Sequence, residues 1–260
     1  MQKPILIAVV VAAVVIVGWT LLRFAGDDQA AEPEAAEVPP TPAAPPTQQS
    51  PEPLPQPARP PAEPEPEVVL PPLADSDPFV RERLEPLELP ETWLTQGDYV
   101  RRLTVLAENA TRGEIPRRQL AFMAPGEPFR VVERDDAIYI DPASYRRYDR
   151  YVEVLERVPP ETAARLLDTI TPLMVTALVE IGVEAPPGEV LTEAMRQAMA
   201  VPEVTGEVAL EQPNVMYTYA DPDLEALTPV QKQILRMGPE NVRRIKDYLR
   251  QVADAMNLQI

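Results

Sequence analysis

Cysteine and histidine are both absent from the 260-residue chain, and serine occurs only three times. Without cysteine there are no disulfides, no thiol nucleophile and no acylation site of a lipoprotein. Without histidine there is no Ser-His-Asp triad, no Cys-His dyad and no histidine-based zinc site. These absences exclude the commonest hydrolase and metalloenzyme sites, and we expect no metal site.

Glycine is also scarce, and its scarcity bears on cofactors. The chain has nine glycines, and the seven that follow residue 75 are well separated from one another. A phosphate-binding loop needs closely spaced glycines so that its backbone can approach the phosphate groups. We therefore expect no nucleotide cofactor, and no other cofactor is indicated.

Acidic residues are plentiful, with 41 acids against 24 bases and a formal net charge of −17. Residues 26–74 contain nine acids and one base, and residues 1–25 contain two bases, which leaves a charge of −11 on residues 75–260. Nucleic acids and anionic lipid surfaces repel such a domain, so we expect no nucleic-acid partner.

The longest apolar run, residues 5–22, contains no charged side chain. As a helix it would be about 27 Å long, close to the thickness of the hydrocarbon core of a bilayer. Lys3 and the terminal amine precede the run, so the positive-inside rule favours a cytoplasmic N-terminus and a periplasmic remainder, although Arg23 on the other side weakens this asymmetry. We predict a single-pass anchor over residues 1–25. A cleaved signal peptide and a reversed orientation with a cytoplasmic domain are the alternatives.

Residues 26–74 contain sixteen prolines and almost no large apolar side chain. Such a segment cannot form a core, so the composition predicts a disordered linker. Proline-rich chains favour the polyproline II conformation at about 3.1 Å per residue, so the linker would extend over about 150 Å. The remaining residues, 75–260, are long enough for one folded domain.

Helical signals dominate residues 75–260. Asp or Thr followed by Pro predicts helix starts at 77–78, 141–142, 221–222 and 228–229, and Gln231 completes a capping box at the last of them. Apolar residues at helical spacing predict helices over 98–111, 142–158, 160–181, 188–200 and 239–257. Two apolar segments flank Arg134-Asp135-Asp136 and predict a β-hairpin. The predicted fold is mainly α, with about six helices and one small β-hairpin.

Residues 101–150 are less acidic than the rest of the domain, with ten bases and eight acids. Arginine binds carboxylates and phosphates through two parallel hydrogen bonds, and nearby tyrosines offer rings for stacking. The candidate binding residues are Arg117, Arg118, Arg147, Tyr148 and Arg150. The alternative is structural, because helical spacing puts the tyrosines on a core face and leaves the arginines to pair with the domain's many acids.

Four segments of the domain carry a family resemblance: LPPLADSDPFV at 70–80, RGEIPRRQL at 112–120, DPASYRRYDRYV at 141–152 and ADPDLEALTPVQKQILRMGPENVRRIK at 220–246. The chain resembles an uncharacterised proteobacterial family of membrane-anchored proteins with a C-terminal domain of unknown function. The resemblance covers residues 70–250 and implies an inner-membrane location. It implies no activity, no cofactor and no catalytic residue.

These features favour a non-enzymatic cell-envelope protein, in which a membrane-tethered periplasmic domain binds a partner protein or a cell-wall component such as peptidoglycan. A stiff linker is useful when a domain acts far from the membrane that holds it. The alternative is a carboxylate-dependent periplasmic hydrolase of an envelope glycan, with Asp135 and Asp136 as its acidic pair. Adjacent aspartates are also ordinary turn residues, so the binding function is the leading hypothesis.

Overall fold

The computed structural model describes residues 68–87, 89–117, 120–123 and 125–260. The predicted anchor at residues 5–22 and most of the predicted linker lie outside the described residues, and both stay predictions. Within the described part, a short 3-10 turn at Leu73–Asp75 precedes the first helix, and the Leu73 side chain is buried in the core.

The described residues fold mainly into helices, as predicted. The helices are α1 (Ser76–Leu84), α2 (Glu91–Leu94), α3 (Tyr99–Thr111), α4 (Pro142–Arg146), α5 (Asp149–Glu156), α6 (Pro160–Glu180), α7 (Pro187–Met199), α8 (Pro222–Glu225), α9 (Pro229–Leu235) and α10 (Pro239–Ala255). Helices α3, α6, α7 and α10 pack together around the hydrophobic core. There are more helices than the predicted six, because α2 is too short to show apolar periodicity and the predicted helix over 142–158 is divided into two.

Three of the predicted helix starts are confirmed by hydrogen bonds. Asp141 and Asp221 each accept a hydrogen bond from the N–H two residues further on, at 2.8 Å and 2.9 Å. At α9, the Thr228 hydroxyl accepts from the N–H of Gln231, and the Gln231 side chain accepts from the N–H of Thr228. Each cap satisfies an N–H that the first turn of a helix leaves without a helical partner, and typically contributes about 1 kcal/mol.

The predicted helix start at Asp77 is wrong, because Asp77 caps a different helix. Helix α1 begins at Ser76, with Asp75 in the N-cap position. The Asp77 carboxylate accepts hydrogen bonds from the N–H of Asp98 at 2.7 Å and of Tyr99 at 3.2 Å, at the N-terminus of α3. A carboxylate in this position also interacts favourably with the helix dipole. Asp77 therefore joins the two helices, which a local cap motif does not indicate.

The predicted helix over residues 142–158 is divided into α4 and α5. At the division, the N–H of Tyr148 donates to the carbonyl of Tyr145 at 3.0 Å, which is the tighter spacing of a 3-10 turn. The Ser144 hydroxyl accepts from the N–H of Arg130 at 2.7 Å and donates to its carbonyl at 2.8 Å. These two hydrogen bonds hold α4 against the segment that leads into the first strand.

The predicted hairpin is confirmed, and it forms half of a four-stranded antiparallel sheet. Strand β1 (Val131–Arg134) pairs with β2 (Ala137–Ile140) across a two-residue turn. Strand β3 (Ala209–Glu211) pairs with β2, and β4 (Thr218–Tyr219) pairs with β3, so the strand order is β1-β2-β3-β4. The two added strands are too short to give a period-two pattern in the sequence.

Among the described residues, α6 is the one helix with the length and apolar composition of a membrane span. More than half of its most apolar window, 56%, is buried inside the domain. The core helix of a soluble protein passes the same test, so α6 is weak evidence for a membrane span. It is also distinct from the anchor predicted at residues 5–22.

An ion pair between α5 and α10 predicts part of the acid sensitivity of the fold. Arg244 donates to both carboxylate oxygens of Glu156, at 2.8 Å and 2.5 Å, and these hydrogen bonds hold the pKa of Glu156 below its ordinary value of 4.5. A carboxyl whose pKa is lowered by folding stabilises the fold above pH 4.5 and loses that contribution as the pH falls through the lowered pKa. Both side chains are partly exposed, so the contribution is at most about 1 kcal/mol.

We therefore expect Glu156→Gln to make the free energy of unfolding less dependent on pH below 4.5. Urea unfolding at a series of pH values measures this effect. Glu240→Gln is the matched control, because Glu240 pairs with the exposed Arg243 three residues along the same helix. An unchanged acid slope in Glu156→Gln would contradict the prediction.

Candidate functional site

Five aromatic rings and one guanidinium lie next to one another in a continuous series, which we call the aromatic row. In order they are Tyr217, Phe129, Arg147, Tyr148, Tyr151 and Trp93. Ring centroids are 6.1 Å apart for Tyr217 and Phe129, and 6.4 Å apart for Tyr148 and Tyr151. The planes of Tyr151 and Trp93 are within 9° of parallel. These are the distances of favourable aromatic contacts. An open cavity lies at each end of the row.

Arg147 occupies the middle of the aromatic row and is buried, with 9% of its surface exposed. Its Cζ lies 5.6 Å from the ring centroid of Phe129 and 5.3 Å from that of Tyr148. Its Nε donates to the Ser144 carbonyl at 2.8 Å, its Nη1 donates to the Glu127 carbonyl at 3.1 Å, and its Nη2 has no hydrogen-bond partner among the described residues. Burial lowers the pKa of this guanidinium. Arg147 is therefore a positive charge in the interior of the domain. It does not offer a contact at the surface.

Tyr148, also predicted as a binding residue, belongs to the core. It is 2% exposed, and its hydroxyl accepts a long hydrogen bond of 3.4 Å from the buried Gln233 side chain. Tyr151, Val152 and Leu155 belong to the same core, as the helical spacing predicted. A ring in this position cannot contact a ligand at the surface.

Arg150 is exposed at the Trp93 end of the aromatic row. Its Cζ lies 4.6 Å from the ring centroid of Tyr151, and its Nη2 donates to the Tyr151 hydroxyl at 2.5 Å. Together with Pro90 and Trp93 it lines an open groove of about 440 Å³. Arg150 and Arg147 therefore have different surroundings, although they are three residues apart.

Arg117 lies close to Arg236, a residue that the sequence did not single out. Burial, followed by the positive charge of Arg236, lowers the pKa of the Arg117 guanidinium. Arg118, its predicted companion, lies outside the described residues. The three candidate arginines that the structure describes therefore differ in their immediate surroundings: Arg147 is buried, Arg150 lines an open groove, and Arg117 lies near Arg236.

Arg236 lines a small, partly open pocket at the Tyr217 end of the aromatic row, which we call the Arg236 pocket. The sheet contributes Ile140, Leu210 and Tyr219 to its walls, and Phe129 and Tyr217 contribute two further rings. The pocket is thus mostly aromatic and aliphatic, which is the usual lining of a small-ligand site.

The polar groups of the Arg236 pocket are few and are placed together. Arg236 follows α9, and its Cζ lies 5.8 Å from the ring centroid of Tyr219. Burial raises the pKa of Tyr219 to about 12, so its hydroxyl keeps its proton at neutral pH. Thr218 adds a second hydroxyl, and no acidic residue lines the pocket. The arrangement can bind an anion that carries an apolar group.

Asp135 and Asp136, the alternative catalytic pair, are turn residues in the hairpin. Their φ angles are 51° and 60°, the left-handed conformation that a two-residue hairpin turn requires and that Asp tolerates. Both side chains are exposed. Among the described residues there is also no group of three or more acidic side chains placed to hold a metal ion.

One comparison with known proteins identifies the family of the chain. Residues 99–253 match a family described as "Protein of unknown function (DUF3014)". The chain belongs to the DUF3014 family. No curated protein and no solved structure matches the chain.

The DUF3014 match confirms a C-terminal domain of unknown function and narrows its extent. It begins at residue 99, so the segment at 70–80 that contributed to the predicted resemblance lies outside it. The match includes every residue named in the Arg236 pocket. Trp93, at the other end of the aromatic row, precedes the match.

The Arg236 pocket could not be predicted from the sequence, because its lining comes from five separate places in the chain: 129, 140, 210, 217–219 and 236. Phe129, Tyr217, Tyr219 and Arg236 have no shared spacing, and none belongs to a recognisable motif. One signal was present: the segment NVMYTY at 214–219 concentrates two tyrosines in a loop-rich stretch. Aromatic residues near a short strand are candidates for a ligand wall, but the partner arginine becomes apparent only in the fold.

Proposed function

We propose that the chain is a non-enzymatic protein of the bacterial cell envelope, whose folded domain binds a partner protein or a cell-wall component. A single membrane span at residues 5–22 holds the protein in the inner membrane. The proline-rich segment at 26–74 separates the periplasmic domain from that membrane. The domain's ligand enters the Arg236 pocket.

The observation that carries this proposal is the composition of the Arg236 pocket. It combines a guanidinium, two hydroxyl-bearing tyrosines and an apolar wall. Such a lining suits recognition, since aromatic walls bury a ligand's apolar part while a few polar groups orient it. General acid–base hydrolysis of a glycan would need two carboxyl groups facing one substrate, and the lining contains none.

In-cell crosslinking from the pocket tests the binding function. A photo-crosslinking amino acid replaces Thr218, which lines the pocket, in the full-length protein. We expect a discrete crosslinked product whose yield falls when Arg236 is also changed to Gln. Arg250→Gln is the matched control, because Arg250 is an exposed arginine on α10 that pairs with Asp247.

The same crosslinker at Val132 gives the background, because Val132 is 41% exposed on β1, at the other edge of the sheet. Product from Thr218 that Arg236→Gln does not reduce, or equal product from Val132, would count against the Arg236 pocket as the binding site. A product formed only from Thr218 and lost with Arg236 supports it.

A pair of C-terminal fusions tests the orientation. We expect activity from a reporter enzyme that folds only in the periplasm and none from a reporter that works only in the cytoplasm, because Lys3 lies on the N-terminal side of the apolar run. The reverse result would put the domain in the cytoplasm and would remove peptidoglycan from its possible ligands.

A further inference from the structure

We propose that the open groove at the Trp93 end of the aromatic row binds the proline-rich segment at residues 51–66 of a second copy of this chain. We call this cavity the Trp93 groove, and it is lined by Pro90, Thr92, Trp93, Arg150, Tyr151 and Val154. It shares no residue with the Arg236 pocket, so it is a second surface of the domain.

The Trp93 groove has the lining and the room to hold a proline ring. Trp93 and Tyr151 lie with ring centroids 6.1 Å apart and with nearly parallel planes, and the exposed Pro90 adds a third ring. Without the open space at its mouth, the groove has a volume of about 160 Å³. A cavity of about 150 Å³ holds one benzene molecule, so a pyrrolidine ring fits. Aromatic-lined grooves are the usual binding sites of polyproline II segments.

Two polar groups at the Trp93 groove are available to a ligand. The indole N–H of the half-buried Trp93 makes no hydrogen bond with the described residues. The exposed Arg150 donates to the Tyr151 hydroxyl, but it forms no ion pair with an acid in the described part of the chain. A polyproline II backbone has no internal hydrogen bonds, so its carbonyls can accept from the indole. The unpaired guanidinium favours a ligand that also carries a carboxylate.

The chain itself carries a segment of this chemistry. Residues 51–66 read PEPLPQPARPPAEPEP, with eight prolines, three glutamates and one arginine, so the segment is both proline-rich and acidic. Polyproline II repeats every three residues, which puts the apolar side chains at 51, 54, 57 and 60 on one edge. Glu52 and Glu63 lie at the two ends of that edge. One apolar edge can therefore occupy the groove while a glutamate reaches Arg150.

The stiffness of the segment favours a second copy over the same chain. Leu70 packs against the core and Leu73 is buried in it, so the chain immediately before them is held at the domain. Residues 51–66 end four positions before Leu70, and polyproline II segments are semi-rigid spacers that do not bend back within a few residues. A linker that cannot span two sites gives an effective concentration near zero. A groove on a neighbouring copy has no such restriction.

Exchange between two copies also makes the contact twice. Each copy has both the Trp93 groove and the proline-rich segment, so a pair related by a two-fold axis forms two identical contacts. The second contact forms within the assembled pair, at an effective concentration that reaches the millimolar range. Two individually weak contacts can therefore hold the pair together.

A crosslink between copies tests the proposal, because the chain contains no cysteine of its own. Full-length chains with Thr92→Cys, in the groove, are mixed in detergent micelles with full-length chains with Gln56→Cys, in the segment, and treated with a bismaleimide. Each chain then has one thiol, so a product that joins positions 92 and 56 links two copies. Mass spectrometry identifies it. We expect Thr47→Cys, the matched control outside residues 51–66, to give less product than Gln56→Cys by about fivefold or more.

Two substitutions and a peptide show whether the groove holds the segment. Trp93→Ala should lower the yield about tenfold, because it removes a wall of the groove. Arg150→Gln should lower it about two- to threefold, as for an exposed ion pair, and Arg250→Gln should leave it unchanged. An excess of the free peptide of residues 51–66 should suppress the product, and the same peptide with alanine in place of proline should not.

Three results would overturn the proposal: equal product from Thr47→Cys and Gln56→Cys, a product that the proline peptide does not reduce, or a crosslink that forms only when both cysteines are in one chain. The last result would assign the groove to the chain's own segment. The peptide competition changes no residue of the groove, so it decides the question even if Trp93→Ala unfolds the domain. A product between copies that the proline peptide suppresses supports the proposal.

Discussion

Replacing Gly238 with alanine is expected to destabilise the folded domain by about 3–5 kcal/mol, from backbone strain together with overpacking. Gly238 precedes α10 with φ 88° and ψ 160°, a region of backbone conformation that is essentially restricted to glycine. A Cβ added there would lie 2.5 Å from Cγ and 2.7 Å from Cβ of Tyr145. The Tyr145 ring is packed against the core, so it has little room to move away.

Urea unfolding of the full-length chain, followed by circular dichroism, measures this loss. Gly182→Ala is the matched control, because Gly182 also has a left-handed φ, 76°, but an added Cβ would meet no atom within 4 Å. We expect Gly182→Ala to cost only about 1–2 kcal/mol, from the backbone alone. The excess at Gly238 combines its more restricted backbone conformation with the close approach to Tyr145.

Combining Gly238→Ala with Tyr145→Ala separates the two causes. If the clash contributes, the double variant should be more stable than the sum of the single effects predicts. A Gly238→Ala variant that is no less stable than Gly182→Ala would contradict the proposed contact and would mean that the chain before α10 adjusts without cost.

The helix caps were predictable from the sequence because a cap is a local interaction. Asp141, Asp221 and Thr228 each bond to an N–H two or three residues away, and the motif contains all the partners. Asp77 looked the same in the sequence, but its partners lie 21 and 22 residues further on. Nothing in the neighbouring residues distinguishes a carboxylate that caps its own helix from one that caps another.

The sheet and the candidate site depended on long-range contacts in the same way. Pairing of Tyr139 with Ala209 crosses seventy residues of mostly helical chain, so the hairpin could be predicted and the other two strands could not. The sequence showed that Arg117 and Arg147 lie in a less acidic region. Their different surroundings depend on Arg236 and Phe129, whose positions only the fold determines.

Replacing Tyr148 with alanine is expected to cost about 3–5 kcal/mol of folding free energy, because the change removes a fully buried ring from the core. The Tyr148 ring is 2% exposed and lies between the Arg147 guanidinium and the Tyr151 ring. Its loss would leave a cavity in the core. It would also remove the ring that lies against the buried Arg147 guanidinium. The loss should appear as a lower urea midpoint.

Tyr148→Phe separates the ring from the hydroxyl. We expect this variant to lose no more than about 1 kcal/mol, because the hydrogen bond from Gln233 is long, at 3.4 Å. It should also leave the yield of the crosslink from Thr218 unchanged, since Tyr148 does not line the Arg236 pocket. A Tyr148→Ala protein that stays folded but no longer binds would contradict this assignment. That result would mean that Tyr148 is a binding residue, as the sequence predicted.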